Sequence, residues 1–142
     1  MCSSDLKLAA GEIIGTVAVA EGTRAPTQRN PATQAAGGAL SGTKLPVPDG
    51  DVADFAIVLA KDSESASSFY LVDLTGAGVS RSAVSTLDPT RSHAEIAFDG
   101  APADLLGTPG AGFEQMEKLF DRAAVLFAWE QVGGAEAALY MA

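Results

Sequence analysis

Few residues in this chain of 142 could support hydrolytic chemistry. His93 is the only histidine, and several serines and aspartates lie near it in the sequence. A Ser-His-Asp triad would use this histidine as a general base, but a triad depends on three-dimensional placement, and the chain has no Gly-x-Ser-x-Gly turn. We therefore predict no catalytic residue from these patterns and expect His93 to be a solvent-facing residue of a strand.

Three other patterns resemble ligand sites but have simpler explanations. Residues 107–112 are rich in glycine and precede a helix, but they lack the Lys-Ser/Thr pair of a P-loop, so we interpret them as an interdomain hinge. Asp49, Asp51 and Asp54 lack the spacing of a calcium loop; we predict a solvated turn and no metal site. For Glu130 we expect exposure at a helix edge or a partner on another helix.

Composition excludes several classes of partner. The formal net charge is −9, which argues against binding to nucleic acid and to an anionic membrane surface. The longest apolar run without charge, residues 123–129, is too short to cross a bilayer. The N-terminus shows no basic segment followed by an apolar one, so we predict a cytoplasmic protein. Cys2 is the only cysteine, which excludes an internal disulfide.

The elements that would position these residues are about seven short strands followed by one helix. Turn frequency favours an antiparallel barrel or sandwich over a βαβ arrangement. We predict loops at residues 21–31 and 60–67, and a linker at residues 100–112. The predicted strands cover residues 12–20, 32–41 (a weak strand interrupted by Gly37 and Gly38), 43–47, 54–59, 68–74, 79–84 and 94–98.

From residue 113 to the last residue, the sequence predicts one long helix that is apolar nearly all round. Val125, Leu126 and Trp129 fill much of the circumference that the main apolar stripe leaves. Such a helix is typically buried among other helices, so we predict self-association through it. Its last turns contain no capping signal, which predicts a fragment of a larger protein.

The N-terminal residues favour an artificial origin. Residues 1–6, Met-Cys-Ser-Ser-Asp-Leu, match a translated sequencing adapter, and resequencing the gene from its source would test this hypothesis. We therefore predict a non-native segment at residues 1–6 and a β-barrel domain at residues 7–109. Residues 110–142 are then a linker and the first helix of an incomplete helical domain.

Several short motifs, taken in order, resemble the acyl-CoA dehydrogenases. The resemblance begins near Gly11 and covers most of the chain. It implies a flavoprotein with an N-terminal helical domain, a middle β-barrel and a C-terminal helix bundle, of which this chain would be the barrel and the first bundle helix. The motifs are LSGTK at 40–44, PDGDVAD at 48–54, FYLVD at 69–73, AFDG at 97–100 and FDR at 120–122.

The resemblance also implies a reaction, the FAD-dependent α,β-dehydrogenation of an acyl-CoA thioester in lipid metabolism. In that reaction a carboxylate removes the α-proton, and the β-hydrogen leaves as a hydride to the flavin. The implied partners are the acyl-CoA substrate, an electron-transfer acceptor, and other subunits in a homo- or hetero-oligomer formed through the C-terminal helices. The chain alone is expected to be inactive.

The resemblance assigns cofactor binding to Val19, Ala20, Glu21 and Val47. The stretch Val19-Ala20-Glu21-Gly22 matches a Thr-Glu-Pro segment of the family: Glu21 retains the glutamate, and Ala20 stands in place of the threonine. Val47 matches an aromatic–Ile–Ser/Thr strand, but prolines flank it on both sides. The hydroxyl and the aromatic ring that the family uses at the flavin are therefore missing, which sets this chain apart from a typical FAD-binding member.

The resemblance assigns acyl-CoA contacts to Phe120 and Asp121 on the helix. In a minority of members the catalytic glutamate follows two residues after this pair, where Ala123 stands; in most members it lies further along the C-terminal domain. Two interpretations stay open. The chain belongs either to a divergent flavoenzyme subunit or to a non-catalytic partner subunit that does not bind FAD, and the missing flavin contacts favour the second.

Overall fold

The strands follow the alternation of apolar and polar residues along the chain. The computed structural model describes residues 3–23, 31–63, 66–88 and 90–141. Residues up to Gly112 form one compact unit, here called the β unit, and residues from Phe113 form a second. The elements are α1 (Ser3–Ala10), β1 (Gly15–Ala18), β2 (Gln34–Ala36), β3 (Ala39–Pro48), β4 (Phe55–Ser63), β5 (Ala66–Asp73), β6 (Val79–Ala83), β7 (His93–Pro102), β8 (Asp104–Leu106) and α2 (Gly112–Met141).

The strands of the β unit form one sheet in the order β6-β7-β3-β2-β4-β5-β8, with β1 paired to β4. Neighbouring strands are antiparallel except β1 and β2, which run parallel to β4. The predicted fold class, mainly β with one long C-terminal helix, is confirmed. Between the outer strands β6 and β8 the described residues show no pairing, so the sheet is not closed here and the barrel stays a prediction.

The core of the β unit lies on one face of this curved sheet. In β7, for example, Ala94, Ile96 and Phe98 are buried while the residues between them are not, as the two-residue period of a strand requires. The strands β1, β3, β4 and β5 also contribute to this core. Its fully or nearly buried apolar residues are Ala18, Leu40, Val47, Ala53, Ala56, Val58, Ala60, Val72, Leu74, Ala94, Ile96, Phe98 and Ala101.

Three sequence predictions need correction. The predicted weak strand at 32–41 is a hairpin, β2 and the start of β3, whose turn uses positive φ angles of 59° and 79° at Gly37 and Gly38. The predicted loop at 60–67 is mostly strand, because β4 and β5 stay paired as far as Ser63 and Ala66. The predicted linker at 100–112 contains the end of β7 and all of β8. The predicted loop at 21–31 lies largely outside the described residues.

The helix α2 confirms the prediction of one long C-terminal helix. Its large apolar side chains are exposed on several sides: Leu126, Trp129 and Leu139 are each more than 70% exposed. Its first turn carries Glu114, and its last turn has no basic residue. Self-association through this surface stays a prediction.

Candidate functional site

The two segments that the resemblance assigns to the cofactor lie side by side. Beyond β1 the chain continues along β3: the Leu45 N–H donates to the Ala20 carbonyl at 2.9 Å, and the Gly22 N–H donates to the Leu45 carbonyl at 2.7 Å. Glu21 and Leu45 thus form a parallel bridge. We call residues 19–22 the extension of β1. β1 itself pairs with β4, whereas its extension contacts β3 and brings residues 19–21 to the strand that carries Val47.

A buried ion pair joins these two segments. The Lys44 ammonium donates to Glu21 Oε1 at 2.7 Å and lies 3.5 Å from the Val19 carbonyl oxygen. Lys44 is fully buried, and the Glu21 side chain is 18% exposed. A buried charge without a partner is strongly unfavourable, so each of these two groups depends on the other.

Glu21 also binds Ala32 and Thr33, the two residues just before β2. Its Oε2 accepts the Ala32 N–H at 2.6 Å, and its Oε1 accepts the Thr33 N–H at 3.0 Å and the Thr33 hydroxyl at 2.7 Å. The carboxylate therefore ties the chain at Ala32 and Thr33 to the extension of β1. Three pieces of the β unit meet at this one side chain: the extension of β1, the residues just before β2 and the middle of β3.

The surroundings shift the pKa values of both partners. Burial raises the pKa of the Glu21 carboxyl, but hydrogen bonds from Lys44, Ala32 and Thr33 together lower it below its usual value of 4.5. Burial lowers the pKa of the Lys44 ammonium, and the hydrogen bond and charge of Glu21 offset only part of that effect. The charge on Lys44 is thus maintained by Glu21.

The lowered pKa of Glu21 predicts a loss of stability in acid. Because the folded-state pKa lies below the unfolded one, the stabilisation by Glu21 is fully present above pH 4.5 and is lost as the pH falls through the folded-state pKa. We expect the free energy of unfolding, measured with urea, to fall over this window. The Glu21→Gln variant should be less stable at neutral pH and should show a shallower acid loss. An identical acid slope in both proteins would show that Glu21 does not titrate as described.

The strand segment around Val47 offers few groups to a flavin. The Val47 side chain is fully buried in the core, so it does not present a surface for stacking. Leu45 uses both of its backbone polar groups toward the extension of β1, and the Pro48 carbonyl accepts the Thr16 hydroxyl at 2.6 Å. Pro46 and Pro48 have no N–H to donate. The residues present therefore do not fit a flavin ring that requires donors and an aromatic neighbour from this strand.

The other sequence candidates have structural roles. The Ser92 hydroxyl donates to Asp51 Oδ1 at 2.6 Å, and the Ile14 N–H donates to Asp54 Oδ2 at 2.8 Å, so these acids hold turns in place. Among the described residues, no group of three or more His, Cys, Asp or Glu side chains could hold a metal ion. His93 lies in a strand, β7, as predicted, but it faces solvent only in part: it is half-buried, and its Nδ1 atom is buried.

No family model and no curated protein matches the sequence. Among solved structures, a probable acyl-CoA dehydrogenase from Mycobacterium abscessus is 22% identical, with a TM-score of 0.72 over 80% of this chain and 34% of its own. An acyl-CoA dehydrogenase from Geobacillus kaustophilus is 27% identical, with a TM-score of 0.71 over the same shares.

The chain has the acyl-CoA dehydrogenase fold. A structure of the electron transferring flavoprotein of Acidaminococcus fermentans is also similar, at 22% identity and a TM-score of 0.69 over 76% of this chain and 32% of its own. The acyl-CoA dehydrogenase-like chain thus spans about a third of the length of the structures it matches.

The predicted substrate contacts of this acyl-CoA dehydrogenase-like chain lie on α2. Phe120 is 44% exposed, and Asp121 beside it is exposed. Ala123, two residues further along the same helix, supplies no carboxylate. Glu130 is exposed on the helix. Across the described residues no helix is long and apolar enough to cross a membrane.

Sequence reasoning missed two members of the network, Thr33 and Lys44. The signal for Lys44 was present: a single lysine stands in the middle of β3, between the buried residues Leu40 and Val47. A lysine at a buried strand position requires an acidic partner. Its identity as Glu21 depends on the path of the extension of β1, which no local pattern reveals.

Proposed function

We propose that the chain is the β domain and first bundle helix of an acyl-CoA dehydrogenase-type subunit. The observation that supports this is the shared fold, in which the segments holding Val19, Ala20, Glu21 and Val47 lie together as the family resemblance requires. The reaction we propose for the assembly is the α,β-dehydrogenation of an acyl-CoA thioester, in lipid metabolism and in the cytoplasm. In this chemistry FAD supplies the hydride acceptor.

Within such an assembly we propose that this chain is the partner subunit that does not hold flavin. Two observations support this role. Ala20 stands where the family has a hydroxyl, and the segment around Val47 lacks an aromatic ring and two backbone donors. The carboxylate of Glu21, the one residue of the Thr-Glu-Pro segment that is retained, is occupied by Lys44, Ala32 and Thr33. The ion pair between Glu21 and Lys44 therefore supports the fold, and this role does not require a cofactor.

A second candidate is a divergent catalytic flavoprotein. The observation that favours it is the adjacency of the two cofactor segments, which the bridge between Glu21 and Leu45 preserves. In either candidate we propose association with other subunits through α2, whose exposed apolar side chains need cover. The similarity to a structure of an electron transferring flavoprotein supports an electron-transfer partner for the assembly.

Expression of the complete gene distinguishes the two candidates. The protein would be purified alone and together with a co-expressed flavin-binding sister subunit, and each sample would be assayed for conversion of acyl-CoA to enoyl-CoA with added FAD and an artificial electron acceptor. We expect activity only in the complex, and only one flavin for each pair of subunits. Activity of the protein alone would support the catalytic candidate. Absence of activity and of acyl-CoA binding in both samples would contradict the proposed function itself.

A further inference from the structure

Residues 104–112 run back along β5 and do not leave the sheet at once. In β8, Asp104 and Leu106 pair with Leu71 and Phe69, so this segment follows β5 toward its first residues. Beyond β8, the Gly110 N–H donates to the Ser68 hydroxyl at 2.8 Å. The contact between the segment and β5 thus continues past the last paired residue.

A second hydrogen bond orients the Ser68 hydroxyl for this contact. Its hydroxyl donates its single hydrogen to Asp62 Oδ2, which leaves its oxygen free to accept the Gly110 N–H. Ser68 is fully buried, so water does not compete for the oxygen. The hydroxyl orientation is therefore fixed by Asp62.

Asp62 is held in turn by the β4–β5 hairpin. A register shift between Lys61 and Ser63 marks an irregularity at Asp62, and its Oδ1 accepts the Tyr70 hydroxyl at 2.7 Å. Burial and the Asp62 carboxylate raise the pKa of Tyr70 to about 12, so this hydroxyl stays a donor at neutral pH. The result is a continuous chain of hydrogen bonds from Tyr70 through Asp62 and Ser68 to Gly110.

Gly112 brings the backbone against the same strand. A Cβ atom built on Gly112 would lie 2.7 Å from the Ser68 Cα and 2.8 Å from the Ser67 carbonyl oxygen. Only glycine allows the backbone to approach so closely. Gly110 adopts a φ of +77°, which also favours glycine. Gly112 therefore serves a close fit against β5, and Gly110 serves the backbone conformation of the segment.

We propose that Asp62, Ser68 and Gly110 form a latch that holds residues 107–112 on the β unit. The glycine-rich segment is then docked on β5 as far as Gly112. The latch is a property of the β unit alone, so it holds whichever of the two proposed functions is correct.

Amide hydrogen exchange of Gly110 tests the latch, and the chain contains a matched control. Ser67 and Ser68 are adjacent and both fully buried, but in the described part of the chain the Ser67 hydroxyl has no hydrogen-bond partner. We expect Ser68→Ala to accelerate exchange at Gly110 about tenfold, the effect of losing one hydrogen bond. We expect Ser67→Ala to leave it unchanged, and Ile96 in the core to exchange equally slowly in all three proteins.

A second variant keeps the test valid if Ser68→Ala does not fold. Asp62 lies at the tip of the hairpin and is half-buried, so Asp62→Asn should fold and should accelerate Gly110 exchange by a smaller factor, about threefold. The latch would be overturned by an unprotected Gly110 amide in the unmodified protein. Equal exchange at Gly110 in the Ser67 and Ser68 variants would overturn it as well.

Discussion

Replacing Glu21 by alanine is expected to lower the free energy of unfolding by about 3–5 kcal/mol, the effect of removing one partner from a buried ion pair. The change leaves the fully buried Lys44 ammonium without its carboxylate, and it removes the acceptor for the Ala32 and Thr33 N–H groups. Urea unfolding at neutral pH, followed by circular dichroism, measures this loss.

The exposed ion pair on α2 provides the control. Glu114 accepts a hydrogen bond from Lys118 at 2.6 Å, but the two side chains are 68% and 67% exposed. Glu114→Ala is therefore expected to leave stability unchanged within error, because solvent screens exposed pairs. Equal changes in the free energy of unfolding for Glu21→Ala and Glu114→Ala would contradict the claim that Glu21 holds three pieces of the β unit together.

Replacing Gly42 by alanine is expected to destabilise the β unit by about 2–4 kcal/mol, from backbone strain and steric overlap together. Gly42 has a φ of +139°, and a Cβ there would lie 2.6 Å from the Thr33 Cα and 2.9 Å from its Oγ1. Neither atom can move without disturbing the hydrogen bonds between Thr33 and Glu21. The effect should again appear in urea unfolding.

Gly38→Ala separates the two causes of this loss. Gly38 also has a positive φ, +79°, but nothing lies within 4 Å of a Cβ placed there. Its replacement should cost only about 1 kcal/mol, for the left-handed conformation alone. Equal losses at Gly38 and Gly42 would mean that the close approach to Thr33 contributes nothing.

The sequence predicted those strands whose residues alternate or form apolar β-branched runs. β4 and β5 were clear for this reason, and so was α2, since its apolar positions recur every three or four residues. β8 was missed because its three residues, Asp104–Leu106, are all exposed and show no alternation. The tip of the β4–β5 hairpin was missed because its polar and charged residues are typical of a loop.

The candidate site was predictable in part. The resemblance marked Val19, Ala20, Glu21 and Val47, and the structure brings their two segments together through Leu45. The hydrogen bonds and ion pairs of the individual side chains could not be predicted from sequence patterns. The ion pair between Glu21 and Lys44 depends on the extension of β1 crossing to β3, a contact between segments distant in sequence. Such contacts depend on the order in which distant strands pair, which periodicity does not encode.

The visible spectrum of the protein expressed alone from its complete gene tests the central claim most directly. Bound flavin absorbs at about 450 nm, a property that belongs to the cofactor. We expect the purified protein to be colourless and to stay so after incubation with FAD and gel filtration. A sister subunit purified in the same way should be yellow. A stoichiometric flavin band in the protein alone would contradict the claim that Ala20 and the segment around Val47 do not hold the cofactor.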